Sequence, residues 1–131
     1  MAVEVGAALE LEWSVDDTNT ANAFGNAGMH VLATPMLVDY FEIACHRLLE
    51  PSLGPGQGTV GILVDVRHLA ATPRGMRFTV RAEVAEVEGR RVAFKVEASD
   101  EAERIGEGRH ERYIVDMERF MTRLEAKAKG A

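Results

Sequence analysis

Residues 8–15, ALELEWSV, put Leu9, Leu11, Trp13 and Val15 on one side and Glu10, Glu12 and Ser14 on the other. This alternation predicts a half-buried strand. Residues 16–33 hold no sustained period and are rich in Asp, Asn, Thr and Gly. A loop of that length in a compact domain is often functional, and Phe24 and Met29 are the apolar points expected to fold back over a pocket. At Thr34 the period becomes helical. Thr34 suits an N-cap, because its hydroxyl accepts from an otherwise orphan N–H, and Pro35 suits the first helical position, where its missing N–H costs nothing. The helix is expected to run to about Glu50, ended by Pro51 and Gly54-Pro55-Gly56. On a helical wheel Asp39, His46 and Glu50 form a polar edge, and Leu37, Phe41, Ala44 and Leu48 form the opposite apolar stripe. Glu42 falls at the boundary, beside the polar edge but next to Val38, Cys45 and Leu49.

Only strands follow, until the C-terminus. Val60, Ile62, Val64, Val66 and finally His68 share one predicted face of TVGILVDVRH. ATPRG turns the chain into a strand whose inner face is Met76, Phe78, Val80, Ala82 and Val84. The hairpin EGRR leads to Val92, Phe94, Val96 and Ala98, and EAERIGEG leads to a last strand near RHERYIVDM. Residues 117–128 carry Met117, Phe120, Met121 and Leu124 at helical spacing, with RLEAKAKGA as a fraying end. One strand, one long apolar helix and an antiparallel meander describe a single α+β domain over residues 1–131, with a helix and tail from 116. A curved sheet wrapped around one buried helix is the hot-dog arrangement. Its exposed edge calls for pairing, so at least a dimer is expected.

Composition narrows the partners. A net charge of −6 argues against nucleic acid or an anionic membrane as the main partner. The single cysteine, Cys45, rules out an intramolecular disulfide and fits a reducing cytoplasm. The first residues, MAVEVGAALELEW, lack the charged and apolar segments of a secretory signal, and no apolar run has the length of a membrane span.

The four histidines, at 30, 46, 68 and 110, show no metal-binding spacing. There is no phosphate-binding glycine motif between strand and helix and no GxSxG elbow. No metal or cofactor is expected. His68 ends an inward-facing series and by pattern alone reads first as an imidazole at the rim of the core bonded to a backbone carbonyl, with a catalytic imidazole as the alternative. Glu42 is a solvated helix-edge residue or a carboxylate held for chemistry, since burying an ionised group needs a partner. Cys45 reads as a small apolar residue, with nothing nearby to activate it.

The strings VLATPMLVDYFEIAC, PGQGTVG, VRHLAATPRGMRFTV and EGRRVAFKVEASDEAERIGEGRHER together resemble the fluoroacetyl-coenzyme A thioesterase family of hot-dog proteins, from about Val31 to Phe120. The resemblance implies a homodimer that hydrolyses an acyl-coenzyme A thioester, with its site near the dimer interface. It places the catalytic Thr, Glu and His at Thr34, Glu42 and His68. It sets Gly61 against the acyl group and Arg112 near the site. The family's Phe-rich lid corresponds to AFGNAGMHVLA, where Phe24, the expected substrate contact, is the one aromatic and Gly28 stands near the gate. Pro35 replaces a Gly. The acyl preference is therefore left open.

On this reading Glu42 attacks the thioester carbonyl or acts as base on a water, Thr34 and His68 assist, and the helix N-terminus favours oxyanion charge. A hydratase on the same fold would need an Asp with a His five residues later, which the chain lacks. A non-catalytic acyl-coenzyme A-binding protein is the alternative.

Overall fold

The computed structural model describes residues 3–130. Five strands form one sheet in the order β1-β3-β4-β5-β2, with every neighbouring pair antiparallel. They are β1 (Ala8–Ser14), β2 (Gln57–His68), β3 (Arg77–Glu88), β4 (Arg91–Asp100) and β5 (Arg104–Asp116). The long helix α1 (Thr34–Leu49) lies against the sheet, and α2 (Met117–Ala128) follows β5. This is the α+β, helix-in-sheet arrangement expected from the hydrophobic pattern. Among the described residues no helix is long and apolar enough to cross a membrane.

The core forms where the two periods meet. Leu37, Phe41, Ala44, Cys45 and Leu49 of α1 are fully buried against Phe78, Val80, Ala82, Phe94 and Val96 of the central strands. Trp13, Tyr40 and Phe78 make an aromatic cluster, with ring centroids 4.4 Å (Trp13–Tyr40) and 5.3 Å (Tyr40–Phe78) apart. The buried Asn19 donates to the Tyr40 hydroxyl at 2.9 Å and to the Ser14 carbonyl at 3.0 Å, and its own carbonyl accepts from Asp16 N at 2.9 Å. At about 1 kcal/mol net for each such bond, Asn19 fixes the loop before α1. That loop is not structureless. It holds a 3-10 turn at Ala21–Phe24, and Leu32 N donates to the Thr72 carbonyl.

Three local expectations change. The N-cap is Ala33, with Thr34 as the first helical residue, so the Thr34 hydroxyl is released from capping. The expected inward run on β2 is broken by a bulge between Gly61 and Leu63. Cross-strand partners share a face, so Thr59 and Gly61 before the bulge, and Val64, Val66 and His68 after it, face α1, while Val60 turns outward. The extra residue is what flips the alternation. Finally, β5 begins at Arg104, inside the stretch expected to be a connection. Gly106 and Gly108 make that possible: a Cβ at 106 would stand 2.8 Å from Leu37 Cδ2, and one at 108 would meet the Asp65 carbonyl. Those glycines permit close packing of helix and neighbouring strand rather than a turn.

The two sheet edges are β1 and β2. On β2, Ile62, Leu63 and Val64 are 51%, 39% and 46% exposed. A long apolar edge of this kind is a template for pairing.

Candidate active site

Thr34 opens α1 and His68 closes β2, and the fold brings these two ends together. Thr34 Oγ1 lies 2.7 Å from His68 Nδ1. Burial pushes the His68 imidazole below its ordinary range, opposed by the Ala70 backbone. Its Nε2 is sealed from solvent and has no hydrogen-bond partner of good geometry among the described residues. In the tautomer that carries its proton on Nε2, the Nδ1 lone pair accepts a hydrogen bond from the Thr34 hydroxyl, and the pair then has the form of a hydroxyl and its base. They line an open cavity of about 340 Å³ together with Asn26, Val31, Leu32 and Leu69. Phe24 is 54% exposed and is not among the residues lining that cavity.

Glu42 occupies a second cluster. It projects from the middle of α1, and its Oε1 stands 3.6 Å from Arg112 Nη1 and 3.9 Å from His110 Nε2. Gly61 faces it across the gap: a Cβ there would lie 2.5 Å from Glu42 Oε1 and 3.2 Å from His110 Cε1. The glycine therefore makes room for the carboxylate, whatever else it contacts. Glu42, Arg112, Asp39 and His46 line a cavity of about 440 Å³.

Arg112 is held from below. Its Nε donates 2.9 Å to Thr59 Oγ1 and its Nη2 donates 3.2 Å to the Thr59 carbonyl. The same hydroxyl shares a 2.6 Å hydrogen bond with His46 Nδ1. Burial works against the Arg112 charge, and the nearby Glu42 supports it. His110, 1% exposed, completes the cluster. A carbonyl only accepts, so His110 Nδ1 carries the proton that it donates to Leu63 O at 2.8 Å. That leaves Nε2 to accept from Arg112 Nη1 at 3.2 Å. Burial, with Arg112 adding to it, holds His110 below the ordinary histidine range, so it is neutral near pH 7 and its approach to Glu42 is not an ion pair.

Of the predicted residues, Thr34 and His68 meet, and so do Glu42, Gly61 and Arg112. The two groups do not meet each other within one chain. Thr34 and Glu42 are eight residues apart on α1, about 12 Å along its axis. Gly61 and His68 sit about 20 Å apart along β2, allowing for the bulge. Sequence reasoning missed His110 and Thr59. The signal was present, because His110 alternates with Arg112 on one strand and Thr59 with Gly61 on another. Cys45 is buried and burial pushes its thiol far above the ordinary range, so it is inert.

Residues 15–118 match the family described as fluoroacetyl-CoA-specific thioesterase. The chain is 43% identical over 97 residues to the fluoroacetyl-CoA thioesterase of Streptantibioticus cattleyicolor, spanning 74% of this chain and 70% of that protein. A solved structure of fluoroacetyl-CoA thioesterase superposes with a TM-score of 0.90 at 35% identity, covering 97% of this chain and 98% of the other. A variant of that enzyme solved with fluoroacetate and CoA superposes with a TM-score of 0.84 at 38% identity, covering 90% and 99%.

Proposed function

The chain belongs to the fluoroacetyl-CoA-specific thioesterase family, and on that premise we propose that it hydrolyses a small acyl-CoA thioester at a site built from two copies of the chain. Thioester hydrolysis is what the family membership supplies. The division of labour among the residues is our reading, and the observation that carries it is the 2.7 Å contact between the Thr34 hydroxyl and His68 Nδ1.

The geometry favours Thr34 as the attacking oxygen. Glu42 has no contact with either member of that pair in the chain, whereas Thr34 already touches its base. Thr34 Oγ attacks the thioester carbonyl while its proton passes to His68 Nδ1. The tetrahedral intermediate collapses, and the same proton goes to the departing CoA sulfur. Water then attacks the acyl-threonine ester and gives a proton to His68, which passes it to Thr34 Oγ as that oxygen leaves, so the free acid departs and the Thr34–His68 pair is restored. The first turn of α1 lies beside the carbonyl, where the positive helix end stabilises oxyanion charge.

The Glu42 cluster joins from the other copy. Two β2 edges paired antiparallel about an axis between Val64 and Asp65 set Gly61 opposite His68 of the partner subunit. That register covers Ile62, Leu63 and Val64, and it carries Glu42 and Arg112 toward the Thr34–His68 pair. There Arg112 orients the thioester or the acyl group, and Glu42 stands ready to hold the hydrolytic water. A second reading keeps Glu42 as nucleophile or sole base, favoured by its half-exposed position in the 440 Å³ cavity. Quenching turnover and locating the acyl group by mass spectrometry separates the two: an acyl ester on Thr34 supports the first, and an anhydride on Glu42, or turnover with no acyl-enzyme, the second. Loss of thiol release in Thr34→Ala, with the fold intact, is the expected companion result.

A further inference from the structure

The arginines of this acidic chain divide into two kinds. Arg91, Arg104 and Arg109, for example, each stand within ion-pair distance of a glutamate on another strand of the sheet. Arg90, Arg119 and Arg123 have no carboxylate partner among the described residues. They nevertheless converge. Arg90 comes from the β3–β4 hairpin, and its Nη1 donates to the Ile114 carbonyl at 3.3 Å. Arg119 and Arg123 come from successive turns of α2. All three line one groove of about 180 Å³ with Tyr113 and Phe120.

Three like charges gathered around one carboxylate, Asp116, with which none of them forms an ion pair among the described residues, repel one another. A solvated helix face would account for Arg119 and Arg123 alone, but not for a third guanidinium brought in from a hairpin beside an exposed tyrosine ring. Asp116 also lines the groove, but its carboxylate accepts from Arg119 N as the cap of α2. The arrangement suits a ligand with several phosphate charges and a planar ring: guanidinium matches phosphate in bidentate fashion, and the Tyr113 ring, 42% exposed, offers a face for stacking.

We propose that this groove binds the adenosine 3′-phosphate 5′-diphosphate end of the CoA substrate, an inference that rests on the thioesterase reading. The position fits. Met117 N donates to the Gly56 carbonyl at 2.9 Å, so the start of α2 is tied to the start of β2. From Gly61, beside Glu42, to Gln57 at that end of the strand is about 13 Å; Tyr113 pairs with Val60 on the face turned away from α1, so an extended pantetheine arm would round that end of the strand to reach the groove.

Two measurements on the full chain test this. The first is calorimetric binding of adenosine 3′,5′-bisphosphate. Wild type should bind it with a strong salt dependence, and Arg119→Ala/Arg123→Ala, and separately Arg90→Ala, should bind it more weakly by about tenfold. The second compares an acyl-CoA with the same acyl group on N-acetylcysteamine, which lacks the nucleotide. The ratio of kcat/KM for the two substrates should fall about tenfold in the double variant, through KM of the CoA ester. An unchanged ratio, or bisphosphate binding indifferent to the arginines, overturns the groove as the nucleotide site. If wild type cleaves neither ester but binds the bisphosphate through these arginines, the groove stands and the thioesterase reading falls.

Discussion

The Thr34 hydroxyl and His68 Nδ1 are 2.7 Å apart although 34 positions separate them in the chain. One opens the helix and the other closes the edge strand, so their contact depends on how α1 crosses the sheet. A one-residue shift at either end breaks it.

Thr34→Ala should lower kcat/KM for a small acyl-CoA by about 10²–10⁴-fold, while Thr34→Ser, which keeps the hydroxyl, retains a measurable fraction. Thiol release with a chromogenic trap reads both, and circular dichroism checks the fold. Equal activity in Thr34→Ala and wild type removes Thr34 from the reaction.

Acid should inactivate the protein through His68. Burial lowers its affinity for a proton from the ordinary value of 6.5, so the active neutral form persists below that pH, and the acid limb of kcat/KM should fall under 6.5. Stability has the same sign. His68 and the buried His110 both bind protons more weakly folded than unfolded, so the unfolded state takes up more protons, and stability present above pH 6.5 is lost as pH falls below it. Thermal denaturation across pH 5–8 should show this decline; a melting temperature that rises on acidification contradicts it.

Gly61→Ala is expected to fold but to lose activity, by roughly 10–100-fold. The added methyl would sit 2.5 Å from Glu42 Oε1, and the carboxylate, at the end of a flexible side chain, must move. Arg112→Lys should be almost as damaging, because one ammonium cannot replace the guanidinium contacts to the Thr59 hydroxyl, the Thr59 carbonyl and His110. Steady-state kinetics on both variants, with melting curves as the control, checks this. Wild-type rates in either would show that the placement of Glu42 does not matter.

The exposed β2 edge gives a further handle. Leu63→Lys, placed where the side chain is 39% exposed, should shift the sedimentation coefficient toward a single chain and reduce turnover together. A fully active monomer would mean that each chain holds a complete site.

Much of this was legible in the pattern of residues. Alternation in ALELEWSV and RVAFKVEAS gave the strands, and the 34–50 stretch gave the helix. What failed did so for local reasons. Thr34 has good capping chemistry, but the buried Ala33 takes the cap, so the hydroxyl turns to His68 instead. The glycine in GTVGIL marks a bulge, yet alternation alone cannot show that the strand flips there, and the inward face was carried through Val60 and Ile62 unbroken. The glycines of RIGEGRH looked like turn residues and are strand residues pressed against α1 and β2. His110 alternates with Arg112 on one strand, which marks it as sharing that face, and the strand register adds that it points at Glu42. The resemblance to a known family gathered Thr34, Glu42 and His68 into one site, but a single chain does not.

Mixing two inactive proteins tests the shared site most directly. Thr34→Ala and Glu42→Ala should each be inactive alone. Unfolded together and refolded as a mixture, half of the dimers carry one of each, and one of their two sites then has Glu42 from one chain and Thr34 and His68 from the other. The shared-site account predicts recovery of about a quarter of wild-type activity. No recovery, with heterodimers confirmed by native mass spectrometry, would place all three residues in one chain's site and contradict it.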